Sequence, residues 1–367
     1  MSMRHLIFDG ANAAQEMTLP HLLDSLTLGP LTLPNRVIMA PLTRLRGTSD
    51  HIPTAIIAEY YAQRASAGLI ISEGTPVGPM GVGYAQVPGI WNERQTQEWS
   101  HVTKAVHDAG GRIFAQIWHV GRVSHSMFLS GQQPVAPSAI APAGHVSIVR
   151  PELPFETPRA LTLDEIRGVI KQFRQSAQDA KDAGFDGVEI HGANGYLLDQ
   201  FLHAGSNVRT DQYGGSVENR ARLMIEVAEA ASSVFGSDRV GMHLAPRGDV
   251  MSMIDPDPKG IFTYVAQELG YRKLAFLLAR EYEAPDWLGP QLQQAFGGVY
   301  MANEKFTRES ADAAIERGDC DAVAFGKLFI ANPDLPERFA QNSPLNTPDT
   351  ATFYTHGAEG YIDYPAR

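Results

Sequence analysis

A chain of 367 residues with 44% apolar and 19% charged side chains has enough apolar material for one large core, which disfavours intrinsic disorder. Its formal net charge of −11 argues against a nucleic-acid-binding or anionic-membrane surface, yet leaves room for a local cationic pocket. The single cysteine, Cys320, allows no intrachain disulfide and fits a reducing compartment.

Residues 1–20 show no periodicity and read as an extension, too charged for a signal peptide. No segment approaches the roughly 20 apolar residues of a membrane span, so the expected location is cytoplasmic. Leu26-Thr-Leu-Gly-Pro-Leu-Thr-Leu33 alternates around Gly29-Pro30 as a hairpin would. Short apolar strands then recur at Arg36–Ala40, Leu69–Glu73, Arg112–Ile117, Gly187–His191, Arg239–Leu244, Lys273–Leu278, Gly298–Met301 and Ala322–Phe325. Most precede an amphipathic stretch. In one, Thr162-Leu-Asp-Glu165 reads as a capping box, and Ile166, Val169, Ile170, Phe173 and Ala177 share an apolar face until Gly184. Such alternation implies a parallel sheet covered by helices, and eight strands suggest a closed (β/α)8 TIM barrel with the hairpin as its N-terminal cap. The stretch 119–161, rich in Pro, Gly and Ser, is long enough to be a lid over a site after strand three. The division expected is an extension over 1–20, a barrel over 21–340 and a C-terminal tail over 341–367.

Several common motifs are absent. No G-x-G-x-x-G follows a strand, and there is no Walker A sequence, H-E-x-x-H, C-x-x-C or G-x-S-x-G. The 12 histidines lack metal-ligand spacing, so no metal site is expected. In a (β/α)8 barrel the active site gathers at the C-terminal strand ends, and polar chemistry collects there. Strand one leads to Pro41-Leu42-Thr43-Arg44 and strand two to Gly74; Gln116, Trp118 and His119 lie at strand three. Strand four ends in His191-Gly-Ala-Asn194-Gly-Tyr196, strand five carries His243, and the last two lead to Asn303-Glu304-Lys305 and Gly326-Lys327. For any one of these a satisfied core polar group is as good a reading as a ligand contact; the coincidence across seven strands favours a site. Loops after strands seven and eight are the usual phosphate position, where Lys305 or Lys327 could add charge. Gln116 suits the edge of a heterocycle, His191 and Asn194 could aim donors at one oxygen, and Tyr196 is a phenol with a reference pKa of about 10. Together these suggest a flavin mononucleotide redox site.

At these residues the chain resembles the Old Yellow Enzyme family of FMN-dependent ene-reductases, close to bacterial N-ethylmaleimide and cyclohexenone reductases. The likeness runs from about Leu22 to Pro365 and rests on Ala40-Pro-Leu-Thr-Arg-Leu-Arg46, Tyr60-Tyr-Ala-Gln-Arg64, Ser72-Glu-Gly74, Gln116-Ile-Trp-His119 and His191-Gly-Ala-Asn-Gly-Tyr-Leu197. Asn207-Val-Arg-Thr-Asp-Gln-Tyr-Gly-Gly-Ser216, Glu218-Asn-Arg220, Ala324-Phe-Gly-Lys327 and Asn332-Pro-Asp-Leu335 extend it. The resemblance implies a non-covalent, tightly bound FMN reduced by NAD(P)H. Pro41, Leu42, Thr43, Gly74 and Gln116 would line its ring, with His191 and His243 beside it. Asn303, Glu304, Lys305, Gly326 and Lys327 would hold its phosphate. His191 and Asn194 would bind the oxygen of an α,β-unsaturated carbonyl or nitro substrate. Hydride from flavin N5 would reach the β-carbon and Tyr196 would protonate the α-carbon. Trp118, Tyr84 and Tyr354 would shape the substrate pocket, the last placing the tail at the site.

Three positions depart from the family pattern. His243 stands on strand five where an arginine is typical, and a histidine is only conditionally cationic. Glu304 in the phosphate loop is unfavourable there unless it points to solvent, and Lys327 replaces a common arginine. His243 is what favours the alternative of a flavin- or ligand-binding barrel with weak turnover; a flavin-free barrel lyase or isomerase is the other rival.

Overall fold

The computed structural model describes residues 19–248 and 250–367, so nearly all of the expected N-terminal extension lies outside the described residues. Eight strands are numbered in barrel order: β1 Val37–Met39, β2 Leu69–Ile71, β3 Ile113–Trp118, β4 Gly187–His191, β5 Val240–Leu244, β6 Phe276–Arg280, β7 Val299–Asn303 and β8 Ala322–Phe325. Each pairs in parallel with its successor, and β8 pairs with β1 through Val323↔Val37, Ala324↔Ile38 and Phe325↔Met39. The sheet is closed, and the fold is a (β/α)8 barrel. A two-residue strand, Thr75–Pro76, adds to the end of β3.

Side chains alternate along each strand, and the alternation divides the core in two. Inward residues Ile38, Leu69, Ile71, Phe114, Phe276, Leu278, Met301 and Ala324 form one cluster, joined from below by Leu26, Leu28 and Leu33 of the antiparallel hairpin Leu26–Leu33. Outward residues such as Val37, Ile70, Ile113, Ile190, Met242, Leu277 and Val323 meet the surrounding helices in the other. Inside the barrel, large rings sit opposite glycines. A Cβ at Gly241 would lie 2.2 Å from the Phe276 ring, and one at Gly187 would lie 2.4 Å from the Phe114 ring. With those positions bare, the two phenylalanine rings fill the interior at 5.9 Å from each other, as close packing requires.

The helix Leu163–Asp182 follows its sequence grammar. Glu165 N–H donates to Thr162 Oγ1 at 3.2 Å, and Thr162 N–H donates to Glu165 Oε2 at 2.8 Å. Ile166, Val169, Phe173 and Ala177 are buried against the sheet. Gly184 then takes the left-handed conformation, φ 86°, which lets the chain turn into β4.

One strand is displaced from its sequence expectation. The segment expected at Lys273–Leu278 begins at Phe276 and runs to Arg280. Lys273 adopts φ 57° and its N–H closes a turn on the Gly270 carbonyl at 2.9 Å, so the residues before Phe276 belong to that turn. The long segment 119–161 carries a short pairing of Val135–Ala136 with Arg159–Ala160. Its Val120, Val123, Leu129, Val146 and Phe155 form a separate apolar cluster with Trp118 and Tyr196. Among the described residues, no helix is long and apolar enough to cross a membrane.

Candidate active site

The phase of the strands decides what faces inward at the top of the barrel. Counting in twos from Phe114 gives Gln116 and Trp118; from Gly187, Glu189 and His191; from Gly241, His243; from Phe276, Leu278 and Arg280; from Met301, Asn303. A cavity of about 590 Å³ opens among these ends, within the range of cofactor sites, about 300–1,000 Å³. Pro41, Leu42 and Thr43 line it after β1, Asn194 and Tyr196 after β4, and His243 on β5. Asn303, Glu304 and Lys305 line it after β7, Gly326 and Lys327 after β8, with Tyr84 and Tyr354 from loop and tail.

Gly74, Gln116, Trp118 and His191 do not line this cavity but build the wall behind it. Four nearly parallel rings run across that wall. Tyr84 and Trp118 are 5.9 Å apart at 7°, Trp118 and His191 5.6 Å at 6°, His191 and His243 5.1 Å at 13°. Gly74 makes room for the row, since a Cβ there would lie 2.7 Å from the Trp118 indole. Beneath it, Gln116 Nε2 donates to Glu189 Oε1 at 2.7 Å and lies 3.3 Å from His243 Nδ1. The Glu189 carboxyl is 3.9 Å from that nitrogen, but the two do not form an ion pair. Burial pushes Glu189 up to about 8, and burial, with the Arg280 charge second, brings His243 down to about 3; near pH 7 both are uncharged.

Burial, then the neighbouring His243 and Arg280, hold the His191 pKa well below the usual imidazole range. Tyr196 packs edge-on against Trp118 and His191, at 4.8 and 5.1 Å between centroids. Its hydroxyl shares a hydrogen bond with that of Tyr84 at 2.8 Å, and burial raises its pKa well above 10. Asn194 has φ 58° and Gly195 φ 79°; asparagine and glycine are the residues that tolerate this left-handed turn. Gly195 N–H is tied to Asp199 Oδ2 at 2.8 Å, fixing the loop between Asn194 and Tyr196. The apolar residues of segment 119–161 pack against Trp118 and Tyr196, although no residue of that segment lines the cavity.

The other end of the cavity is charged. Glu304 and Lys305 adopt φ 91° and φ 63° in succession, a strained pair of the kind found at ligand sites. Asn303 Nδ2 donates to the Ala324 carbonyl at 2.6 Å, tying β7 to β8. Glu304 does not simply point to solvent: its Oε1 pairs with Arg280 at 3.3 Å. Lys305 Nζ sits 3.8 Å from the centre of the Tyr282 ring.

Sequence reasoning missed three parts of this arrangement. Arg280 lines the cavity and donates to Asn194 Oδ1 at 3.0 Å; its in-phase spacing from Phe276 and Leu278 was the available signal. Glu189 lies under the ring wall, an acid within the apolar strand Gly187–His191. Arg44 and Arg46 fasten the tail: Arg44 donates to the Phe353 and Gly360 carbonyls at 3.0 and 2.8 Å, Arg46 to the Thr352 carbonyl at 3.0 Å. Tyr354 is thereby held at the cavity of its own chain, beside Phe353. Among the described residues, no group of three or more His, Cys, Asp or Glu is placed to hold a metal ion.

The residues present fit a flavin mononucleotide. Buried polar atoms almost always have partners, yet His191 Nδ1, His243 Nε2 and Trp118 Nε1 have none among the described residues, all on the ring wall. A heterocycle edge supplies such partners, and Lys305 and Lys327 stand at the end suited to a phosphate.

Comparison with known proteins agrees. The family model of the NADH:flavin oxidoreductase / NADH oxidase family matches residues 21–346. A probable flavin mononucleotide-dependent alkene reductase of Leishmania infantum is 41% identical over 365 residues, 96% of this chain and 99% of that protein. The 12-oxophytodienoate reductase 1 of Oryza sativa subsp. japonica is 40% identical over 97% of this chain and 95% of its own. Among solved structures, an old yellow enzyme homologue from Zymomonas mobilis superimposes with a TM-score of 0.92 at 45% identity, covering 94% of this chain and 99% of that one. Morphinone reductase in complex with tetrahydroNAD gives 0.91 at 50% identity, covering 95% and 98%.

Proposed function

Because the chain belongs to the NADH:flavin oxidoreductase / NADH oxidase family, as an FMN-dependent ene-reductase of the Old Yellow Enzyme type driven by NAD(P)H, we propose that its substrates are α,β-unsaturated ketones, aldehydes, imides and nitroalkenes. The observation that carries this reading is an unpartnered His191 Nδ1 in the ring wall, packed against Tyr196 whose hydroxyl pairs with that of Tyr84, with Asn194 and Tyr196 lining the cavity.

The cofactor's ring would be held by Pro41, Leu42, Thr43 and His243 from the cavity, with Gly74, Gln116 and His191 behind it in the ring wall. Its phosphate would be held by Asn303, Glu304, Lys305, Gly326 and Lys327. When bound, it would supply two-electron hydride chemistry between the nicotinamide and the substrate's β-carbon. His191 and Asn194 hold the substrate oxygen and stabilise the negative charge that develops there, as an oxyanion hole does. His191 acts as a neutral imidazole donating one N–H, because its pKa is depressed. Tyr196 delivers its phenolic proton to the α-carbon, and its raised pKa keeps that proton in place at neutral pH. The Tyr84 hydroxyl, 2.8 Å away, can turn to donate to the phenolate left behind. Trp118 and Tyr354 bound the substrate's apolar body.

The test is His191→Ala with Asn194→Ala, followed by stopped-flow absorbance of each half-reaction. Removing one oxyanion-type donor costs about a hundredfold or more. The double variant should therefore lose at least that in reoxidation by an enone, with reduction by NAD(P)H much less affected. Undiminished enone turnover would remove the assignment.

A further inference from the structure

The roles proposed for His191, Asn194 and Tyr196 leave Arg280 unassigned, although it faces the cavity from the end of β6. One arm of its guanidinium donates to Asn194 Oδ1 at 3.0 Å and the other reaches Glu304 Oε1 at 3.3 Å. A guanidinium carries only donors. The amide of Asn194 must therefore turn its carbonyl oxygen to Arg280 and its NH2 away, and that nitrogen has no partner among the described residues. The beginning of the turn, at φ 58°, fixes the Asn194 backbone; it leaves the side-chain amide free to flip by rotation. Arg280 removes that freedom. Its neighbour His243 is uncharged near neutrality, so on this side of the cavity the permanent positive charge is Arg280's.

We propose that Arg280 is a positioning residue that locks the Asn194 carboxamide with its NH2 edge toward the substrate oxygen, and that Glu304 holds Arg280 in place. The inference rests on the reading of Asn194 as a substrate donor. A cation on the carbonyl oxygen also polarises the amide and strengthens its N–H as a donor. A role in stability is a poor competitor: the Arg280 and Glu304 side chains remain 38% and 30% exposed, and such pairs contribute little to folding.

The experiment is a double-mutant cycle on the FMN-loaded enzyme with Arg280→Met, Asn194→Ala and both together. Three quantities are read for each: the rate of reoxidation by 2-cyclohexenone, the rate of reduction by NAD(P)H, and the flavin midpoint potential. Arg280→Met should slow reoxidation by at least about tenfold, the lower end of what one hydrogen bond to a charged group is worth, and leave the other two unchanged. In the Asn194→Ala background the same substitution should cost nothing further, because coupled residues are non-additive. Losses that multiply would overturn the proposal, as would a midpoint-potential shift that persists without Asn194; either would assign Arg280 directly to the cofactor. Should Asn194→Ala alone leave reoxidation intact, the donor role of Asn194 fails and this inference with it. A loss in Asn194→Ala with none in Arg280→Met sinks the positioning role alone.

Discussion

Arg46→Met tests how the C-terminal tail is kept at the site. Arg46 is 3% exposed and its guanidinium donates to the carbonyls of Arg44 at 2.6 Å, Thr352 at 3.0 Å, Phe353 at 3.0 Å, Glu359 at 3.2 Å and Gly357 at 3.3 Å. It also lies 4.6 Å from the Tyr361 ring centre. Methionine preserves the stem and deletes every donor. Bonds to the Arg44 and Thr352 carbonyls are fully buried, and charge-assisted bonds are worth about 1.5–3 kcal/mol each. Thr352 O keeps a bond from Thr355 Oγ1 at 3.0 Å, and Phe353 O keeps Arg44; water can reach the Gly357 and Glu359 carbonyls. A net loss of about 3 kcal/mol follows, equivalent to a rise on the order of a hundredfold in local opening. Hydrogen exchange by mass spectrometry should show amides of residues 350–362 accelerating by that factor while the barrel strands keep their protection. Enone KM should rise as Phe353 and Tyr354 leave the cavity wall. Unchanged exchange in 350–362, or acceleration spread evenly over the barrel, would refute the clamp.

Two further predictions concern buried titrating groups. Tyr196→Phe should slow enone reduction while leaving flavin reduction by NAD(P)H intact; with the Tyr196 pKa raised above 10, the wild-type enone half-reaction should not lose this proton donor until pH exceeds 10. Stopped-flow rates against pH check both, and an equal slowing of both half-reactions would contradict the assignment. Glu189 is raised from 4.5 to about 8, so the folded state holds a proton that the unfolded state releases between those values. Stability from this group is therefore complete below pH 4.5 and is lost as pH rises toward 8, by up to about 1.4 kcal/mol per unit. Denaturation midpoints at pH 5.5 and 7.5 should fall further for the wild type than for Glu189→Gln; parallel pH dependences would show that the carboxyl is not protonated in the fold.

The barrel was legible in the sequence because period-2 apolar runs and capped helices are local signals. The capping box at Thr162 and the strands at Gly187–His191 and Ala322–Phe325 stand where they were read. Closure was suggested only by the count of eight strands, since the contact that makes it, β8 meeting β1, spans nearly the whole chain. Strand six was misplaced because Lys273, Leu274 and Ala275 resemble strand residues, and only the turn at Lys273 shows otherwise. That error of two or three residues concealed Arg280. Most candidate cavity residues came from motifs after strand ends, where identity alone marks them. The backing residues Glu189, Arg44 and Arg46 are defined by what they touch across the barrel or in the tail, and no local pattern encodes those contacts.

Charge is divided unevenly around the cavity, with His243 on the uncharged side. Glu189, His191 and His243 are all ionisable and all lie in or under the ring wall. Burial keeps the two histidines uncharged near neutrality and raises the glutamate so that it is largely protonated. Hydrogen bonds from that wall act in a low-dielectric setting, where a neutral donor is strong. Permanent charge lies on Arg280, next to His243 and paired with Glu304, and on Lys305 and Lys327 at the other end of the cavity. An arginine on β5 would place its cation within the wall itself; one on β6 acts on the wall through Asn194.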